Sequence, residues 1–168
     1  MSSHIETHPH PFFIPSNPLV LLVGSFPGRH NVDVEGKDEW FYSSPRNQFW
    51  PILRKVYNEN LFTTKEKKDS FEKHGIAIGD IFLKIRRKEN TNSDSDIEVI
   101  EYNNIALEKV LKTYSFHSIF FTSKLVQKVF LKFFPEVKNS ECLPSPSPRF
   151  AKVSLDEKIK YYKKKLPA

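Results

Sequence analysis

A single cysteine, Cys142, occurs in 168 residues. That excludes an intrachain disulfide and any cysteine-held cluster, and makes an intracellular protein the natural reading. No apolar run approaches the roughly 20 residues that a membrane span needs, and the N-terminus lacks the charged-then-apolar order of a secretory signal. The chain therefore reads as soluble and cytoplasmic, with no membrane partner. No Gly-Lys-Ser/Thr follows the turn Gly24-Ser25-Phe26-Pro27-Gly28, which excludes a phosphate-cradling P-loop. No internal repeat is visible.

What is present suits one domain with a buried core: 39% of residues are hydrophobic and 14% aromatic. Lysine and arginine number 26 against 20 acidic residues, a formal charge of +6, with a pI near 9.3. This balance favours a polyanionic partner such as nucleic acid.

Residues 1–18 carry His4, His8 and His10 among prolines and read as an N-terminal tail that docks late or frays, with a histidine-held metal as the other reading. Residues 19–168 read as one domain. The run Leu19, Val20, Leu21, Leu22, Val23 predicts a strand buried on both faces of a parallel sheet. A long loop over 25–44 follows, of a size that is often functional. Phe49, Ile52, Leu53 and Val56 recur at helical spacing, with Pro51 tolerated in the first turn. A charged helix is expected over 64–74, a second strand over 76–82 with Asp80 near its end, and a mobile, basic loop over 84–96. That loop, with Arg86, Arg87 and Lys88, lies either against a phosphate backbone or in solvent. Further expectations are a helix over 103–113, a strand over 118–122, a helix burying Leu125, Val126, Val129, Phe130 and Phe133, and a short strand at 141–143. Ser154 and Glu157 form a capping-box pattern for a last helix that buries Leu155, Ile159 and Tyr162 and leaves Lys158 and its other lysines to solvent. Four apolar strands alternating with helices predict a three-layer α/β/α sandwich around a mostly parallel four-stranded sheet. Ligands bind outside the carboxyl ends of such strands, where the loops after the first and last strands would meet.

Three segments carry candidate chemistry. Gly24 to Gly28 is a turn whose glycines let backbone approach a ligand. The stretch from Tyr42 through Pro45, Arg46, Asn47, Phe49 and Trp50 packs aromatics, a basic residue and an amide just before a helix. The loop Leu143-Pro144-Ser145-Pro146-Ser147-Pro148-Arg149 is stiffened by its prolines. Each residue also has an ordinary reading. Asn47 suits a helix cap, Tyr42 a loop-end aromatic, Arg149 a solvated surface and Asp80 a carboxylate fixing loops. Phe49 and Trp50 read as anchors of the helix in the core.

In order and spacing the three segments resemble the motifs of the uracil-DNA glycosylase superfamily, most closely its hypoxanthine-DNA glycosylase branch. Mismatch-specific and thymine-DNA glycosylases are similar, but their first motif carries an asparagine that positions the attacking water. Here that position is Phe26, which can neither bind nor polarise water, and the hypoxanthine branch is similar in lacking the asparagine. The resemblance implies that Asn47 takes over the water. It also implies that Gly24, Ser25, Phe26, Pro27 and Gly28 border the base with their backbone, and that Tyr42 stacks on it. Ser145 and Ser147 would contact DNA phosphates, and Arg149 would fill the gap left by a flipped nucleotide. Asp80 could recognise or polarise a base, with the fixing of neighbouring loops as its first reading.

The implied reaction is hydrolysis of the N-glycosidic bond of a deaminated base in DNA, hypoxanthine first and uracil second. No cofactor or metal is required. No lysine falls within the three segments to form an imine, so a monofunctional enzyme, acting as a monomer, is expected. The last loop lacks the histidine that other branches use to stabilise the leaving base, which implies slower chemistry or a base that leaves readily. The alternatives are a mismatch-directed uracil or thymine glycosylase, or a basic nucleic-acid-binding module that kept the scaffold and lost catalysis.

Overall fold

In β2 (Val20–Gly24) every residue is buried, because the strand is covered on both faces. Val20 and Leu22 point into one core, and Leu21 and Val23 into a second. The computed structural model describes residues 4–28, 39–88 and 96–168. Around β2 the sheet runs in the order β3-β2-β6-β7, with β3 (Ile76–Asp80), β6 (Ser118–Phe121) and β7 (Ser140–Cys142). All three pairings are parallel, and Gly24 stands in register with Asp80. These are the four strands expected from the sequence, in an α/β architecture.

The first core is closed by α1 (Phe49–Tyr57), α2 (Thr64–His74) and α5 (Leu155–Lys165), through Phe49, Trp50, Phe71 and Tyr162. The second is closed by α3 (Asn104–Thr113) and α4 (Lys124–Phe133), through Leu107, Val110, Val126 and Phe130. Capping boxes open α2 at Thr63 with Glu66 and α5 at Ser154 with Glu157, each satisfying two otherwise orphaned N–H groups.

A second, antiparallel sheet of order β1-β4-β5 was not expected. It joins β1 (Ile5–Thr7), β4 (Phe82–Arg87) and β5 (Ile97–Tyr102). The expected strand over 76–82 thus ends at Asp80, and β4 occupies what reads as a basic loop. Its charges are matched across strands: Arg86 with Glu98, Lys84 with Glu101, and Arg87 with Glu6. Arg87 is buried and so is not a phosphate contact. Positions 89–95 of that expected loop, and 29–38 of the loop after β2, lie outside the described residues.

The described residues before Leu19, 4–18, read from sequence as part of a tail, are built into the fold. β1 pairs with β4, Phe13 bridges to Ile78, and the Phe12 ring lies flush on Gly79, where any side chain would collide with it. Two helix expectations also change. In α4, Leu125 and Phe133 are exposed, and only the stripe of Val126 and Phe130 is buried. In α5, Leu155 is exposed while Lys158 is only 1% exposed. No helix among the described residues is long and apolar enough to cross a membrane.

Candidate functional site

The loop after β2 is held by its carbonyl groups. Gly24 O accepts from Ile81 N at 2.8 Å, Ser25 O from Phe82 N at 3.1 Å, and Pro27 O from the Arg87 guanidinium at 2.6 Å. Fixing three carbonyls fixes the loop's peptide planes, so this turn at the carboxyl end of the sheet is rigid. Phe26 packs against the second core, with the His8 ring edge-on at 5.2 Å and the Arg87 guanidinium 5.7 Å from its centroid. Gly28 closes the described part of the loop. With Phe26, Pro27, Glu39 and residues of the β1 segment it lines a cavity of about 450 Å³, to which neither Tyr42 nor Asn47 contributes.

Gly24 has no room for a side chain. Tyr42 Oη and Asp80 Oδ1 both lie within 2.5 Å of the point where a Cβ would stand, so the two oxygens converge over the glycine. Tyr42 reaches this place from a left-handed backbone conformation, φ 56°, which is costly for a bulky residue and is held by its surroundings. Its hydroxyl shares a hydrogen bond of 2.8 Å with Thr122 Oγ1, just past β6. Phe49 stacks on one face of the ring at 4.1 Å. Asp80 is buried, and its Oδ2 is 2.7 Å from His8 Nε2.

Asn47 sits two residues before α1, and its Oδ1 accepts the N–H of Phe49 at 2.8 Å. The amide therefore caps the helix start, the ordinary role open to it, and leaves Oδ1 one further lone pair and both Nδ2 hydrogens. Phe49 is fully buried. Trp50, also buried, donates from Nε1 to Phe41 O at 2.7 Å. Both anchor the helix as expected. Asn47 thus connects to Tyr42 through Phe49, whose N–H it holds and whose ring Tyr42 covers.

The Pro/Ser loop is tied to the same helix start. Gln48 N donates to Pro146 O at 2.8 Å, and the buried Lys158 ammonium donates to Gln48 Oε1 at 2.8 Å and to Ser147 O at 3.1 Å. Burial pushes this ammonium below the ordinary lysine range. Tyr162 adds a hydrogen bond to Pro144 O at 2.7 Å. Within the loop, Ser145 Oγ accepts from Ser147 N and Ser147 Oγ from Arg149 N, so each hydroxyl keeps its own hydrogen to donate outward. Arg149 is exposed.

Three participants hold roles that the sequence did not predict. Gln48 and Lys158 lock two of the segments together, and His8 holds Asp80. Lys158 had a readable signal, since it shares a helical face with Leu155, Ile159 and Tyr162. Nothing local marks His8, whose partner lies 72 residues away.

Residues 11–166 match the family model of the uracil DNA glycosylase superfamily. A hypoxanthine DNA glycosylase from Methanosarcina barkeri (strain Fusaro / DSM 804) is 29% identical over 101 residues, 59% of this chain and 60% of that protein. The match thus spans about three fifths of the curated relative's length. The fold is similar to the solution NMR structure of a proposed uracil DNA glycosylase from Methanosarcina acetivorans. That likeness has a TM-score of 0.64 and 21% identity over 96% of this chain and 98% of the other, and concerns the fold alone.

Proposed function

The chain belongs to the uracil DNA glycosylase superfamily, and on that footing we propose that it is a monofunctional DNA glycosylase acting, as a cytoplasmic monomer, on hypoxanthine first and uracil second. The observation that carries the reading is the convergence of Tyr42 Oη and Asp80 Oδ1 over Gly24, beside a helix start bearing Asn47. A flipped base entering there stacks against the Tyr42 ring. Asp80 accepts a ring N–H. Hypoxanthine carries one at N1 and uracil at N3, where adenine and cytosine present lone pairs, so a carboxylate favours the deaminated base over its parent.

The chemistry asks for little covalent help. Water oxygen bonds to the sugar C1′ as the C1′–N bond breaks, the electron pair of that bond leaves on the base, and the proton that the water releases reaches the departed base by way of solvent. Asn47 holds the water through the remaining lone pair of Oδ1. N–H groups of the turn 24–28 face the charge growing on the base. Ser145 and Ser147 hold phosphates, and Arg149 enters the space vacated in the duplex.

One observation favours the rival reading of a binding module without catalysis: Oδ1 of Asn47 is already engaged by the helix. Both readings meet in one experiment, strand scission by hot alkali of duplexes carrying a single hypoxanthine or uracil, with the wild type and Asn47→Ala. Excision by the wild type is expected. Binding without excision of any modified base would sink the enzyme reading.

A further inference from the structure

His8 precedes the residues matched to the family, yet it is among the best-fixed side chains near the site. Its segment is anchored by pairing of Ile5, Glu6 and Thr7 with β4 and by His8 N donating to Leu83 O at 2.8 Å. The side chain itself is 1% exposed and packs against Phe26 and Phe41.

The hydrogen bonds settle its tautomer. His10 N donates to His8 Nδ1 at 3.0 Å. A backbone N–H can only donate, so Nδ1 carries a lone pair and the ring proton of the neutral imidazole resides on Nε2. Nε2–H then donates to Asp80 Oδ2 at 2.7 Å. The imidazole supplies a directed donor to a buried carboxylate without adding a formal charge. With Oδ2 held, the carboxylate plane is set and Oδ1 is turned over Gly24 beside Tyr42 Oη.

We infer that His8 is a positioning residue for base recognition: it fixes the Asp80 carboxylate so that Oδ1 accepts the ring N–H of a deaminated base. This rests on the glycosylase reading above. The N-terminal segment is then part of the active site, and its contribution passes wholly through Asp80.

The test is single-turnover excision from a hypoxanthine duplex by the wild-type chain, His8→Phe, His8→Gln, Asp80→Ala and the double variant His8→Phe/Asp80→Ala. Phenylalanine keeps a ring against Phe26 and removes the donor, whereas the Gln amide retains one. A hydrogen bond to an ionised carboxylate corresponds to about 10- to 100-fold in kcat/KM. That loss is expected for His8→Phe, with His8→Gln recovering most of it and the double variant no slower than Asp80→Ala alone. The inference is overturned if folded His8→Phe excises hypoxanthine at the wild-type rate, if His8→Gln is as slow as His8→Phe, or if the two losses multiply in the double variant. Should His8→Phe fail to fold, His8→Asn, whose amide is too short to reach Asp80, replaces it against His8→Gln with the same expectations. A wild type that excises neither base overturns the glycosylase reading instead.

Discussion

Replacing Asn47 by alanine separates two jobs assigned to one side chain. As a cap, Oδ1 satisfies the Phe49 N–H, and its loss should cost about 1 kcal/mol, lowering Tm by roughly 2–4 °C in a domain of this size. From a starting stability of about 5–15 kcal/mol, that leaves on the order of one molecule in a thousand or fewer unfolded at 25 °C. Lost capping alone therefore cannot change the rate noticeably. As the water-holder, the amide should be worth about 10²–10³ in kcat, the scale for removing one preorganised polar group from such a site. Thermal melting and single-turnover excision of hypoxanthine, measured on the same preparation, read the two jobs separately. Asn47→Asp keeps an oxygen for the cap and should melt within about 0.5 kcal/mol of the wild type, so any change in its rate is chemical. If Asn47→Ala melts a few degrees lower while excising at the wild-type rate, the amide is a helix cap only and the assigned mechanism falls, though the fold does not.

Other perturbations probe the neighbouring parts. Gly24→Ala places a methyl group within 2.5 Å of Tyr42 Oη and Asp80 Oδ1; it should cost about 1–3 kcal/mol and more than tenfold in excision, and a variant with wild-type melting and rate would show the convergence to be irrelevant. Lys158→Met strips the donor from Gln48 Oε1 and Ser147 O, and with the relief of a buried charge set against this the net loss should be about 1–2 kcal/mol by urea unfolding. Because burial depresses this ammonium in the fold, the unfolded chain binds more protons on approach to the ordinary value of 10.5, so the wild type should gain on the variant as pH rises there. Burial pushes the Glu59 carboxyl up, but hydrogen bonds from Lys73 and His74 outweigh it and bring it down to about 2. Its contribution is present above 4.5 and should be lost as pH falls through about 2, by about 1–2 kcal/mol allowing for solvent screening at its exposed edge; Glu59→Gln should abolish that part of the acid transition. Arg149→Ala should slow excision from duplex more than from single strands, and equal slowing of both would argue against a wedge.

Local pattern determined much of the scaffold. The unbroken apolar run of β2 required cover on both faces, the spacing of Phe49, Ile52 and Leu53 required a helix buried on one side, and Ser154 with Glu157 marked where α5 starts. These features are legible because their physics acts over a turn of helix or a few strand residues. The antiparallel sheet was not legible, since β4 carries Lys84, Arg86 and Arg87, whose partners Glu101, Glu98 and Glu6 come from other strands. Alone, such a segment resembles a solvated loop. The motifs at Gly24, Tyr42, Asn47 and Ser145 to Arg149 could be picked out in the sequence, but not what holds them. Lys158 reaches Gln48 across 110 positions, Tyr42 meets Thr122 across 80, and His8 meets Asp80 across 72. Only the folded chain brings those groups together, because a buried donor finds its acceptor through packing that no local stretch of sequence specifies.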